Sequence, residues 1–107
     1  MTDFILVFVT VSSKEEAERI AYTLVHDQLA ACVNIVSPIQ SIYRWEGAIQ
    51  NEVELMLVAK TRSALFEDVG ECVRRLHSYE NPEVIAVPIV AGTAPYLGWL
   101  RDSTTQG

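Results

Sequence analysis

Basic residues are scarce in this sequence. Its 107 residues include 8 Lys and Arg against 14 Asp and Glu, which gives a formal net charge of −6. Proteins that bind nucleic acids draw most of their affinity from clustered cations that neutralise phosphates, so this balance argues against a nucleic-acid partner. An acidic surface agrees with ordinary solubility and would also suit a cationic partner.

Long apolar runs and a leader-like start are also missing. No stretch approaches the ~20 apolar residues that a membrane span requires. The first residues, Met1-Thr2-Asp3, do not form the basic start of a secretory signal. We therefore expect a cytoplasmic chain with no membrane partner. The length and the 50% content of hydrophobic residues predict one domain over 1–107.

Cysteine is rare, and catalytic motifs are absent. Cys32 and Cys72 form neither a CxxC motif nor a zinc-ligand spacing. Either thiol could act as a nucleophile beside His26 or His77. Both thiols lie in apolar segments, however, where a free cysteine usually packs as a small hydrophobe. Because no G-x-S-x-G, P-loop or HExxH motif occurs, the sequence predicts a protein that is not an enzyme.

The hydropathy pattern predicts a ferredoxin-like α+β fold. Strands are expected over 4–11, 32–45, 49–60 and 84–90, and helices over 14–28, over about 61–76 and from Pro95. Ser13 and Glu16 have the spacing of a capping box for the first helix. The order β-α-β-β-α-β predicts two helices on one face of a four-stranded antiparallel sheet, followed by a short C-terminal helix. Ser37-Pro38 interrupts the second strand after Val36, and extension resumes at Ile39. Because Pro38 lacks a ladder N–H, it belongs on an edge strand or at a bulge, and we expect the second strand at an edge.

The hairpin over 32–60 is long for a domain of this size. A return arm of ~12 residues extends ~40 Å, whereas the radius of gyration of such a domain is ~13 Å. Its tip carries Ile39, Ile42, Tyr43, Trp45 and Ile49, and exposed apolar ribbons aggregate unless they are covered. We therefore predict an obligate homo-oligomer whose hairpins pair between protomers. The alternative is a strongly twisted or bulged strand that stays within one protomer.

His77 is a candidate metal ligand. It begins the segment 77–83, where Glu80 or Glu83 could help it to bind a divalent cation, particularly with ligands from a second protomer. A histidine that interacts with the dipole at a helix C-terminus explains the same residue without a metal, and we favour that interpretation.

A second group of side chains is a candidate ligand pocket. Glu54 and Lys60 lie on the same face of the third predicted strand, either as part of an ion pair across strands or as part of a polar pocket. The aromatic residues that could line this pocket, or fill an interface instead, are Tyr43, Trp45, Tyr79 and Trp99.

Five motifs, which are spread along the chain from Leu29 to Trp99, resemble those of one family. They are Leu29-Ala30-Ala31-Cys32-Val33-Asn34, Ser41-Ile42-Tyr43-Arg44-Trp45-Glu46-Gly47, Lys60-Thr61, His77-Ser78-Tyr79 with Pro82-Glu83 and Pro88, and Tyr96-Leu97-x-Trp99. In this order and at this spacing they resemble the CutA family of divalent-cation tolerance proteins.

The resemblance implies a ferredoxin-like protomer in a homotrimer that is similar in architecture to PII signalling proteins. It also implies a role in the tolerance or homeostasis of divalent metals such as copper, with copper or zinc as the metal that would bind. The alternative function is that of a PII-like protein that binds a small ligand in clefts between protomers, with Tyr43, Trp45, Lys60 and Tyr79 in the lining.

The sequence departs from the copper ligands proposed for family members. Those members carry a Cys in the first strand and a His pair before Pro-Tyr. Here Val9 and Leu76 occupy the first two ligand positions, His77 occupies the third, and Ser78 stands where the family has Pro. Only one of the three implied ligands is therefore retained.

Overall fold

A computed structural model describes residues 2–105 of the chain. Residues 1, 106 and 107, which the predicted 1–107 domain includes, lie outside the described part. The elements are β1 (Phe4–Val11), α1 (Lys14–His26), β2 (Cys32–Trp45), β3 (Ala48–Arg62), a 3-10 turn (Ser63–Leu65), α2 (Phe66–Leu76), β4 (Val84–Pro88) and α3 (Ala94–Asp102). None of the helices described is long and apolar enough to cross a membrane.

The strands form one antiparallel sheet in the order β2-β3-β1-β4. This order confirms the predicted ferredoxin-like α+β fold, with β2 at an edge. The predicted boundaries differ from the observed ones by a few residues. The largest difference is that α2 begins at Phe66, after a 3-10 turn.

One face of the sheet carries the main core, which α1 and α2 cover. Side chains alternate between the two faces of a strand, and the pairs Val7↔Ala59 and Val9↔Leu57 place four fully buried side chains on this face. Ile20 of α1 and other helical side chains pack against them. Burying a side chain the size of valine or leucine contributes about 1.5–3 kcal/mol, so these contacts hold the helices to the sheet.

The first helix begins at the predicted cap, although only half of the capping box forms. Ser13 has extended backbone angles, and its hydroxyl accepts the backbone N–H of Glu16 at 3.2 Å. The Glu16 carboxylate turns inward instead, and its Oε2 lies 3.3 Å from Nδ1 of His77. Glu16 therefore belongs to the interior of the protein as well as to the helix end.

The other face of the sheet is largely uncovered. Its apolar side chains, called the open face below, are Leu6, Phe8, Met56, Val58, Ile85 and Val87. The first four are half-buried, whereas Ile85 is 54% and Val87 41% exposed. At one end of this face Phe4 is buried in a small cluster with Leu100 of α3, so α3 covers that end alone.

The β2–β3 hairpin projects beyond the rest of the sheet. β3 pairs with β1 only from Leu55 to Arg62, and its residues 48–54 pair with β2 alone. The molecule consequently measures 45 Å along its longest axis and 25 and 22 Å along the others. At the tip Glu46 and Gly47 both have positive φ, at 49° and 80°, as two-residue hairpin turns require.

Candidate functional site

A cavity of about 1060 Å³ lies between the projecting hairpin and the loop over 79–83. Four of the five predicted pocket residues line it, namely Tyr43, Trp45, Glu54 and Tyr79. The fifth, Lys60, lies towards the opposite end of β3, where its Nζ is 6.0 Å from the centre of the Tyr96 ring. Trp99 packs against Tyr96. The aromatic and acidic candidates therefore come together, whereas Lys60 and Trp99 form a separate group.

A bulge in β2 decides which side chains enter the cavity. The pairing changes from Val36↔Met56 to Ile39↔Glu54, so β2 contains one residue more than β3 over this interval. An extra residue reverses the faces of all side chains beyond it. Tyr43 therefore lies on the same side of the hairpin as Glu54. Pro38 lies within the bulge, where the lack of an N–H costs no ladder bond.

Two tyrosines donate hydrogen bonds to two carboxylates on this side of the hairpin. Tyr43 donates to Oε1 of Glu52, and Tyr79 donates to Oε2 of Glu54 at 3.2 Å. The hydrogen bond to Glu52 raises the pKa of Tyr43 to about 12. Burial, followed by the negative charge of Glu54, raises the pKa of Tyr79. Both phenols consequently stay protonated, and able to donate, across the ordinary pH range.

His77 supports one wall of the cavity from behind. α2 ends at Leu76, and the backbone N–H of His77 donates to the carbonyl of Val73. In the fully buried imidazole, Nε2 donates to the carbonyl of Thr10 at 2.7 Å, and Nδ1 accepts the backbone N–H of Tyr79 at 3.0 Å. The ring therefore ties the end of α2 and the Tyr79 loop to β1.

These contacts define what metal binding at His77 would require. Both ring nitrogens are hydrogen-bonded, so a metal would have to displace one of these partners. Within residues 2–105, no three side chains of His, Cys, Asp or Glu are grouped as a metal site. Glu80 and Glu83 line the cavity. Metal binding by His77 stays a prediction, and it would need further ligands from outside this protomer.

Neither Glu16 nor Glu52 was among the site residues predicted from the sequence. Glu16 is 4% exposed, and its Oε2 has no hydrogen-bond partner. Glu16 precedes Ile20 by four positions, which places it on the apolar side of α1, and this spacing could have predicted that Glu16 is buried. Glu52 alternates with Glu54 along β3, but the bulge that brings Tyr43 to it has no local signature beyond Pro38.

The two cysteines lie outside this cavity. Cys72 is buried in the main core, and Cys32 is half-buried at the start of β2. Burial raises the pKa of the Cys72 thiol, which makes its nucleophilic thiolate scarcer at neutral pH. This environment fits a packing role for Cys72.

Comparisons with known proteins identify the family. Residues 5–103 match the family model described as "CutA1 divalent ion tolerance protein". The "Divalent-cation tolerance protein CutA" of Thermus thermophilus is 48% identical over 99 residues, which cover 92% of this chain and 96% of that protein. "Protein CutA, chloroplastic" of Arabidopsis thaliana is 48% identical over 100 residues, which are 94% of this chain but only 55% of that relative.

Solved structures agree with this similarity. The crystal structure of CutA1 from Oryza sativa superposes with a TM-score of 0.95 at 46% identity and covers 97% of this chain and 95% of that one. The Thermus thermophilus structure gives a TM-score of 0.93 at 46% identity, with 95% and 99% covered. The agreement extends over the long hairpin as well as the sheet. The chain therefore belongs to the CutA1 divalent ion tolerance protein family, whose members are not enzymes.

Proposed function

We propose that this chain acts as a homotrimer in the tolerance of divalent cations, copper among them. The family supplies the general role, while the trimer and the metal are specific proposals. The observation that carries the trimer is the combination of the projecting hairpin with the uncovered open face. Ile42, Trp45, Ile49 and Val53 on the hairpin are each more than half exposed, and such a surface in a stable protein marks an interface.

A ring of copies would cover both features. β2 and β4 are the two edges of the sheet, and strand edges carry unpaired N–H and C=O groups. If the hairpin of one copy packs beside the β4 edge of the next, the contact is heterologous, and repeating it around an axis closes a ring. Three copies are what the family resemblance implies.

The oligomer is tested by light scattering coupled to size-exclusion chromatography. We expect the mass of three chains at micromolar concentration. Replacing Trp45 and Ile49 with Ser should shift the protein towards monomers, while the exposed Tyr22→Ser on α1 should leave the trimer intact. A stable monomer of the unmodified chain would overturn the proposal.

Metal binding is tested by calorimetry with Cu²⁺ and Zn²⁺. We expect stoichiometric binding that His77→Ala removes. His77→Gln separates a loss of metal binding from a loss of folding in His77→Ala, because its amide can keep one of the two hydrogen bonds of the imidazole. The control is His26→Ala, because His26 is exposed on α1, where its Nδ1 contacts Asp27 and its ring stacks on Tyr22. Equal binding by all these variants would remove His77 from the metal site.

A PII-like function in small-ligand binding is the second candidate. The cavity favours it, because Tyr43, Trp45, Glu54 and Tyr79 surround a space large enough for a small molecule. This candidate would be supported if the protein binds no metal and a small ligand changes the fluorescence of Trp45 to a saturating value. Metal binding without any such ligand would support the first.

We also propose that residues 1–107 act as one domain in the cytoplasm, as the composition predicts. The Arabidopsis relative is described as chloroplastic, so the compartment needs its own measurement. Limited proteolysis should leave one resistant fragment, and cell fractionation should place the protein with cytoplasmic markers.

A further inference from the structure

We propose that Glu16 is a second metal ligand beside His77, so that the two side chains hold one divalent transition-metal ion, such as Zn²⁺, between them. The inference rests on the metal binding proposed above for His77, and it adds a residue outside the site predicted from the sequence. Three observations support it: the unpaired oxygen of Glu16, the distance between the two donor atoms, and the contact that orients the imidazole.

Glu16 has a buried carboxylate oxygen without a hydrogen-bond donor. The residue is only 4% exposed, and within residues 2–105 no group forms a hydrogen bond to its Oε2. A carboxylate removed from water normally requires a hydrogen-bond donor or a positive charge beside it. A cation bound next to Oε2 would supply that partner.

The Oε2 atom of Glu16 faces an imidazole nitrogen that is itself an acceptor. Nδ1 of His77 lies 3.3 Å from Oε2 and accepts the backbone N–H of Tyr79 at 3.0 Å. Because Nε2 donates to the carbonyl of Thr10, the ring carries its proton on Nε2, and Nδ1 has none to give to Oε2. Two acceptor atoms therefore face each other inside the protein, and a cation between them would turn their repulsion into attraction.

The distance between these two atoms fits a shared metal ion. Zinc binds imidazole nitrogen at about 2.0–2.1 Å and carboxylate oxygen at about 2.0–2.2 Å, and at the tetrahedral angle two such ligands lie about 3.3–3.5 Å apart. The observed separation of Nδ1 and Oε2 is 3.3 Å. A nitrogen paired with a carboxylate oxygen also favours zinc or copper over Mg²⁺ and Ca²⁺, which prefer oxygen ligands alone.

The contact on the other side of the ring is typical of a metal-binding histidine. Such histidines usually donate their second ring N–H to a carboxylate or a backbone carbonyl, which fixes the tautomer and the orientation of the ring. Nε2 of His77 donates to the carbonyl of Thr10 at 2.7 Å in this way. Nδ1, which faces Glu16, is consequently the ring atom that can bind the metal.

Metal binding at this pair would displace one hydrogen bond. To bind Nδ1 the ion must replace the backbone N–H of Tyr79, and residues 78–81 of this loop are exposed, so the loop can move aside. Among the described residues no third His, Cys, Asp or Glu completes a metal-binding group. Water therefore fills the remaining coordination positions, as in zinc sites that keep an open position.

Calorimetry of Zn²⁺ binding to the full chain tests the pair. We expect Glu16→Gln to weaken Zn²⁺ at least about tenfold, because even the loss of an outer contact of a metal site costs about 10–100-fold in affinity. Glu16→Asp keeps the charge but draws the oxygens away from Nδ1, and it should weaken Zn²⁺ as well. The matched control is Glu15→Gln, which removes the same charge from an exposed position in the same turn of α1 and should leave the affinity unchanged.

Hydrogen exchange on the unmodified chain is a second measurement that needs no substitution. Zn²⁺ should accelerate exchange of the Tyr79 amide, because the ion takes Nδ1 from it. Unchanged affinity in Glu16→Gln, equal losses in Glu16→Gln and Glu15→Gln, or a Tyr79 amide that Zn²⁺ leaves protected would overturn the proposal. If His77→Ala still removes binding in those cases, the proposed function stands. A chain that binds no metal at all would overturn both.

Discussion

Tyr79 donates its hydroxyl to Oε2 of Glu54 at 3.2 Å, across 25 positions of the sequence. The bond joins the loop after α2 to the point where the hairpin leaves the sheet. The backbone N–H of Tyr79 is held by His77, whose other ring nitrogen donates to β1. One tyrosine thus connects the α2 end of the fold to the projecting hairpin, and it forms a wall of the cavity between them.

Removing this hydroxyl should destabilise the protein. In Tyr79→Phe the nearly buried Glu54 loses its hydrogen-bond donor, so the free energy of unfolding should fall by about 1–3 kcal/mol. Urea denaturation at a fixed protein concentration measures it, since the stability of an oligomer depends on concentration. Tyr22→Phe, on a side chain that is 72% exposed, is the control and should change little. Equal effects of the two substitutions would contradict the role of the Glu54 bond.

The ionisation of Tyr43 should be delayed to high pH. Its pKa is about 12 in the folded protein, against 10.0 for an unperturbed tyrosine, chiefly because its hydroxyl donates a hydrogen bond to Glu52. The folded state therefore holds this proton more tightly than the unfolded chain does. The resulting stabilisation is complete below pH 10.0 and is lost as the pH rises through about 12.

Ultraviolet absorbance of tyrosinate during an alkaline titration measures this step. Tyr43→Phe should remove it, and Glu52→Gln should move it down towards 10.0, the ordinary value. Glu67→Gln, which removes a distant charge, is the control. An unchanged high-pH step in Glu52→Gln would mean that Glu52 is not its cause.

Two glycines should respond in opposite ways to alanine. Gly47 at the hairpin tip has a φ of +80°, while Gly70 lies within α2, and neither would bring a new Cβ within 4 Å of another atom. Backbone strain alone should therefore make Gly47→Ala destabilising, by about 1–2 kcal/mol. Gly70→Ala should stabilise the protein by about 0.5–1 kcal/mol, because alanine is the better helix former. Thermal unfolding of both variants checks the signs, and a shift in the same direction would refute the explanation.

The buried hydroxyl of Thr61 should stabilise the fold, because it joins β3 to the loop before β2. Thr61 is fully buried, and it donates to the carbonyl of Leu29 at 2.6 Å. Thr61→Val preserves the shape of the side chain but leaves that carbonyl without this donor, at a cost of about 1–3 kcal/mol. The comparison is Thr23→Val in α1, where the hydroxyl bonds to the carbonyl of Arg19 at an exposed position. Chemical denaturation should find the second change within about 0.5 kcal/mol of zero.

Several features were predictable because their causes are local. The Ser13 cap, the turn at Glu46 and Gly47, and the edge position of the strand with Pro38 each depend on the backbone preferences of a few adjacent residues. The length of the hairpin was also predictable, since the number of residues in an extended segment sets its reach.

Other features depend on contacts between distant segments. Ser13 caps the first helix as the pattern predicts, but the Glu16 carboxylate does not complete the capping box, because the folded chain brings it to His77 instead. Lys60 and Glu54 share a face of β3, as the alternation predicts, yet six positions along a strand separate them too far for one cavity. The alternation of side chains along a strand predicts the face on which each one lies. It does not predict which other elements contact that side chain.

Hydrophobic spacing and turn chemistry were sufficient for the order of the elements, the covered face of the sheet and the projecting ribbon, because each follows from periodicity within one segment. The composition of the cavity was not accessible in this way. One added residue in β2 reverses every side chain beyond it, and so brings Tyr43 to the side of Glu52 and Glu54. The bulge forms only when β2 pairs with β3, because the register, the side-chain packing and the ladder hydrogen bonds of both strands together decide where an extra residue is accommodated.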